Sequence, residues 1–352
     1  MKNFLYRFVH EDQKIFFAKA LKGFLWILSF IYVGLSKTAF WLHQHHIFKK
    51  NVLPKPVISI GNMTLGGTGK TPFAGFIASY LKNKGHEPAI LIRGYMVRKG
   101  VSDEVELYKE MLPAVHVEQG RNRFEAGIRI LKKYPKIDTF VLDDGFQHWA
   151  LDRDLDIVVV DATNPFGSGF CLPRGTLREP LSALKRADVI VLTKVDLAQE
   201  NLLSIYTVLR KNNFYAVFAE AVYEPMKLIN LKDLGRDEEV STLKNMKVAV
   251  FSAIGNAGAF EKTVGALGAR VAKAFSFLDH HVYTKADLHR MISDVCAHNI
   301  TTLITTQKDA VKLRGLADLF PKDVKIFALA VSLKIVKGEK ELEERIDTVL
   351  QR

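Results

Sequence analysis

The chain of 352 residues is too long for one ordinary domain and long enough to bury two cores. With 48% hydrophobic and 25% charged residues it is not a disordered polymer, and its two cysteines, Cys171 and Cys296, form no CxxC pair, which excludes a disulfide framework or a cysteine zinc site and fits a reducing cytoplasm. A net charge of +12 points to an anionic partner: nucleic acid, a phosphorylated substrate or the acidic face of a membrane.

The charge is concentrated at the start, where nine Lys and Arg up to Lys55 face only Glu11 and Asp12. The same region holds the most apolar run, residues 23–35, flanked by Lys19, Lys22 and Lys37. That run is shorter than the roughly 20 residues a spanning helix needs, and no A-x-A-like cleavage pattern follows it. It reads as a helix lying in the bilayer interface, with Trp26, Tyr32 and Trp41 at headgroup depth; a buried core helix is the alternative. His43, His45 and His46 have no carboxylate or cysteine close in sequence, so they read as solvated or headgroup-facing and not as metal ligands.

Val57–Ile60 is a short β-branched run that leads into Gly61-Asn62-Met63-Thr64-Leu65-Gly66-Gly67-Thr68-Gly69-Lys70-Thr71. An amphipathic pattern through Phe73, Phe76, Ile77, Tyr80 and Leu81 follows, stopped by Gly85. Strand, glycine-rich turn and helix together make a phosphate loop. Backbone N–H groups from Thr64 to Gly69 would converge on phosphate oxygens, Lys70 would reach the β- and γ-phosphates, and the Thr71 hydroxyl would meet Mg²⁺. The strict motif has Gly where this chain has Thr64.

Thr139–Leu142 reads as a buried strand ending in Asp143-Asp144-Gly145-Phe146-Gln147-His148. Carboxylates at the carboxyl end of such a strand sit at the mouth of a parallel sheet, where an Asp can hold the Mg²⁺ of a phosphate-loop enzyme. Further strands at 156–160, 188–192, 247–251, 302–305 and 325–329 continue an α/β alternation. Thr193-Lys194-Val195-Asp196 is similar to the base-reading TKxD turn of GTPases, but the favoured reading is a polar strand end. Ile254-Gly255-Asn256 reads as a tight strand-to-helix turn.

Taken together, Ser59–Asn62, Gly66–Pro72, Arg93-Gly-Tyr95, Asp143–His148 and Leu172–Leu181 resemble the tetraacyldisaccharide 4′-kinase family of lipid A biosynthesis, as do Phe277–Tyr283 and Thr306–Val311 downstream. Two positions depart from that pattern. Met96 stands where the family usually has Gly, and Asp103-Glu104-Val105 where it has Asp-Glu-Pro. The resemblance implies ATP and Mg²⁺ as cofactors and a lipid-linked disaccharide acceptor phosphorylated on its 4′-hydroxyl. It implies nucleotide contacts from Thr64, Leu65, Gly66, Gly67, Thr68, Gly69, Lys70 and Thr71, and metal contacts from Thr71, Asp143, Asp144 and Glu104. Asp103 and His280 would form a catalytic dyad with Lys70 alongside, and Asn62, Arg93, Gln147, His148, Arg174 and Arg178 would meet the acceptor.

The expected architecture is a P-loop NTPase-type doubly wound parallel sheet with a second, smaller α/β lobe. Residues 1–50 are expected as membrane-facing helices, 51–225 as the nucleotide domain, 226–335 as the second lobe and 336–352 as a C-terminal helix. The expected place is the cytoplasmic face of the bacterial inner membrane, bound peripherally to an anionic surface. Nucleic acid is not expected as a partner, since the basic residues keep apolar company and no recognition motif accompanies them. A membrane-bound GTPase or nucleotide-gated adaptor is the rival reading, but Asp143-Asp-Gly-Phe146 places its glycine one residue early for the DxxG a switch strand needs.

Overall fold

In the computed structural model, residues 16–94, 102–233, 235–279, 281–313 and 315–351 are described. Helix α1 (Phe16–Gln44) comes first. The first lobe then runs β1 (Val57–Gly61), α2 (Lys70–Asn83), β2 (Pro88–Ile92), α3 (Asp103–Met111), β3 (His116–Gln119), α4 (Arg123–Lys133), β4 (Thr139–Asp143), β5 (Leu155–Asp161), β6 (Val189–Thr193) and α5 (Leu202–Asn212). A long strand, β7 (Val217–Asn230), leaves it. The second lobe follows as β8 (Lys247–Ser252), α6 (Ala257–Ala266), β9 (Arg270–Ser276), α7 (Lys285–Ala297), β10 (Thr302–Thr306) and α8 (Gln307–Lys312). Strand β11 (Lys325–Lys337) then returns to α9 (Glu339–Leu350).

Among the described residues all eleven strands join one sheet in the order β3-β2-β4-β1-β5-β6-β7-β11-β10-β8-β9. Every pairing is parallel except β7 with β11, an antiparallel ladder that carries the sheet from one lobe into the other. Strands β1, β2, β4, β5 and β6 are buried on both faces, as their predominantly apolar runs require. The boundary expected at 225/226 falls inside β7.

Strand β1 lies between β4 and β5, and the register sets Ile60 beside both Asp143 and Ile157. The phosphate loop and the acidic pair therefore leave the sheet side by side, at its carboxyl edge. On one face α2 and α9 share a core that includes Phe73, Ile77, Leu81, Leu342 and Ile346. On the other, Ile205 and Leu209 of α5 pack with Phe146 and Leu184, and Tyr32 and Val33 of α1 rest on them.

The apolar run expected over 23–35 is the middle of a 29-residue helix. Its stretch from Leu21 to Gln44 has the length and composition to cross a membrane, yet one side is fastened to the protein. Ser29 Oγ donates to Cys171 O at 2.8 Å, Tyr32 Oη to Arg178 O at 2.8 Å, and Arg174 Nη1 to Lys22 O at 3.1 Å. Phe24, Trp26, Ile27, Phe30, Ile31 and Leu35 stand exposed on the rest of its surface.

Candidate active site

Gly69 enters α2 with φ +92°, a left-handed conformation that glycine adopts without strain, and a Cβ there would lie 1.8 Å from Tyr223 Oη. That turn points the start of α2 back toward the carboxyl edge of the sheet. Lys70 and Thr71, its first two residues, meet the acidic pair. Lys70 Nζ is 3.5 Å from Asp144 Oδ1, and Thr71 Oγ1 donates to Asp143 Oδ2 at 3.2 Å. Asp144 has φ +58°, a conformation an Asp tolerates, and its Oδ1 accepts from Arg178 Nη1 at 2.7 Å.

The two neighbouring carboxylates are shifted in opposite directions because their partners differ. Burial would raise Asp144, but Lys70 and Arg178 outweigh it and hold the group below its ordinary range. Burial raises Asp143, even though it accepts a hydrogen bond from Tyr108 Oη at 2.7 Å. Its Oδ1 is buried and has no hydrogen-bond partner. Tyr108 comes from α3, where it also donates to Thr71 O at 3.2 Å, so α3 is anchored to both loop and acidic pair.

That anchoring brings the start of α3 to the site. Ser102 caps the helix, its side chain accepting from Val105 N, and Asp103 and Glu104 form the first turn. Burial and the nearby Asp143 push Glu104 up to about 7. The second lobe approaches from the other side, with α8 packed against α3. Lys308 of α8 pairs with Asp279 at 2.9 Å, and its charge pulls Glu104 partly back. His280, the expected partner of Asp103, lies outside the described residues, as do Tyr95 and Met96.

The expected acceptor residues divide into two groups. Asn62 is fully buried under the loop, donating to Thr64 O at 2.6 Å, and Gln147 Nε2 donates to Asn62 O and to Glu179 Oε1. Arg186 clamps Glu179 through two bonds of 2.9 Å, so this group braces the loop from below. Arg93, His148, Arg174 and Arg178 are not fully buried. Burial, with Arg123, Arg153 and Arg93 nearby, lowers His148 to about 4 and keeps it neutral at neutral pH. Leu65 is exposed at the tip of the loop, whereas Thr64 and Thr68 are buried.

Sequence reasoning missed Tyr108, Glu179 and Lys308. Of these, Glu179 and Lys308 sit inside the quoted motifs 172–181 and 306–311, which is the signal that could have found them. Lys194, in the turn read as a polar strand end or a base reader, donates to Gly67 O at 3.3 Å and pairs with Asp161. Asp196, the carboxylate of that turn, is exposed.

A phosphate loop, an adjacent carboxylate pair and a second acidic turn held between two lobes are the working parts of a phosphoryl-transfer site. The family model for tetraacyldisaccharide-1-P 4′-kinase (LpxK) matches residues 21–351. A tetraacyldisaccharide 4′-kinase of Halothermothrix orenii is 31% identical over 99% of this chain and 97% of its own length. One from Anaeromyxobacter sp. strain K is 35% identical over 86% of this chain and 85% of its own. Among solved structures, LpxK from Aquifex aeolicus in complex with ATP superposes with a TM-score of 0.71 at 29% identity, covering 94% of this chain and 99% of that one. The chain belongs to the tetraacyldisaccharide-1-P 4′-kinase family.

Proposed function

We propose that this chain transfers the γ-phosphoryl group of ATP to the 4′-hydroxyl of an acylated glucosamine disaccharide 1-phosphate while α1 rests on a membrane. One observation carries the reading: Lys70, Thr71, the Asp143–Asp144 pair and the acidic first turn of α3 meet at the carboxyl edge of the sheet. On this reading residues 51–225 hold the nucleotide and 226–335 supply the facing wall.

The backbone from Thr64 to Gly69 and the Lys70 ammonium hold the phosphates, and Asp144, itself held by Arg178, keeps Lys70 aligned. Thr71, Asp143, Asp144 and Glu104 would hold Mg²⁺. Asp143 and Thr71 fit it, because the buried Asp143 Oδ1 lacks a partner and the Thr71 hydroxyl stands beside Oδ2, whereas Asp144 is engaged by Lys70 and Arg178. Mg²⁺ commonly takes only one or two carboxylates and leaves its other positions to phosphate and water. When bound, the ion neutralises charge on the β- and γ-oxygens.

Asp103 takes the proton of the 4′-hydroxyl as that oxygen forms its bond to the γ-phosphorus and the bond to ADP breaks; His280 would orient it. Segment 174–178 links membrane and site, since Arg174 meets α1 and Arg178 meets Asp144. Acyl chains leaving along the exposed face of α1 would then place the sugar headgroup near Arg93, His148 and Arg178. Its phosphate explains the surrounding cations, and this makes the anionic partner a lipid and not a nucleic acid. A need for ATP supports the cytoplasmic face of the membrane as its place.

Nucleotide competition tests the reading. With vesicles containing the acylated disaccharide 1-phosphate, label from γ-labelled ATP should enter the lipid fraction and excess unlabelled GTP should not compete well. Preference for GTP, with hydrolysis that ignores the acceptor, would support the GTPase reading instead.

A further inference from the structure

A turn of the second lobe sits directly on the phosphate loop. β8 ends at Ser252 and the chain passes through Gly255 and Asn256 into α6. A Cβ on Gly255 would lie 1.9 Å from Gly67 N and 2.6 Å from Gly66 Cα, so only glycine permits the approach.

Asn256 uses both ends of its amide. Oδ1 accepts from Ala259 N at 3.0 Å and caps α6, while Nδ2 donates to Asp161 Oδ2 at 3.0 Å and to Thr163 Oγ1 at 2.8 Å. Asp161 closes β5 and is almost fully buried. Its other oxygen accepts from Thr163 N and Oγ1, and its charge pairs with Lys194, whose ammonium also donates to Gly67 O. The contacts form a closed ring from Gly67 through Lys194, Asp161 and Asn256 to Gly255, and back to Gly67. Transfer chemistry at Asp143 and Asp103 makes no use of this ring.

We propose that Asn256 and Asp161 are positioning residues for the nucleotide, fixing Gly66–Gly67 from the second lobe so that filling the loop with polyphosphate and seating that lobe are linked. Loop N–H groups bind phosphate well only when they already converge, and a ring that orders them beforehand removes part of the cost of binding. Linkage of this kind is reciprocal, so a polyphosphate in the loop tightens the seat of the second lobe by the same factor. The inference rests on the phosphate loop holding ATP.

Asn256→Asp isolates the ring from the helix cap. Asp caps as well as Asn does, but the substitution exchanges the donor facing Asp161 for a second carboxylate. Asp161→Asn added to it restores an amide–carboxylate pair with the roles reversed. Two readouts apply: ATP affinity by calorimetry without acceptor, and amide exchange of residues 65–68 without any ligand. Asn256→Asp should weaken ATP about tenfold or more, the scale of one lost hydrogen bond to a charged group. Exchange at 65–68 should quicken, kcat at saturating ATP should change less than either, and the double variant should recover most of both losses. Parent-like affinity and exchange in Asn256→Asp, or a double variant no better than its two single changes combined, would overturn the proposal. A parent protein that binds no ATP would instead overturn the nucleotide assignment, and the exchange rates would still decide whether the ring orders the loop.

Discussion

At the site, neighbouring side chains with the same chemistry take different roles because their partners differ. Lys70 shares Asp144 with Arg178, so removing the lysine leaves no buried carboxylate unpaired. Lys70→Ala should therefore keep its melting temperature within a few degrees while kcat falls about 10²-fold or more, the usual loss when one stabilising donor of a transition state is removed. Turnover near that of the parent would remove Lys70 from the γ-phosphate. His148 supplies a pH test. Its folded pKa, about 4, lies below the ordinary value of 6.5, so the neutral form is favoured on folding. The stability it contributes is complete above about pH 6.5 and is lost as pH falls toward 4. Melting temperature should drop between pH 7 and 5 in the parent and drop less in His148→Gln, and the imidazole NMR signals should titrate with a midpoint well below 6.

The elements were unequally legible in the sequence. The run from Val57 to Thr71 declared strand, loop and helix because that chemistry is local, and Thr139–Asp144 did so for the same reason. Tyr108 gave no such signal, and the turns holding Lys194 and Asn256 were visible without their roles, since each works through a partner far along the chain: Asp143, Gly67 and Asp161. The apolar run of α1 was bounded at Lys22 and Lys37, although the helix continues through both to Gln44, and Tyr32, expected at headgroup depth, turns inward to Arg178 as Ser29 does to Cys171. The outer face makes a prediction of its own. Replacing Phe24, Phe30 and Leu35 together by Gln touches none of those anchors and removes three large side chains, each contributing about 1.5–3 kcal/mol when buried in an apolar phase. Sedimentation with anionic vesicles should show affinity reduced about 100-fold or more with circular dichroism unchanged; unaltered sedimentation would place the membrane contact elsewhere.

Across the whole molecule, the alternation of strands and helices made the fold class legible, but the way the lobes join was not. β7 and β11 lie far apart in sequence and carry the sheet between lobes as its single antiparallel pair among the described residues. After β11 the chain does not end in the second lobe. Helix α9 returns to the first and buries Leu342, Ile346 and Val349 in the core shared with α2. Leu342→Ala should cost about 2–5 kcal/mol, as large-to-small changes in packed cores do, and denaturant unfolding followed through ATP binding should report the loss. Were only a second-lobe probe to respond, α9 would not belong to the nucleotide core.

The most direct test of the account is product mass. Purified protein incubated with Mg-ATP and an acylated glucosamine disaccharide 1-phosphate should yield a lipid heavier by one HPO₃, carried on the 4′-oxygen, and Lys70→Ala protein should yield almost none. ATP consumed without any gain in lipid mass, or phosphate found on another oxygen, would contradict it.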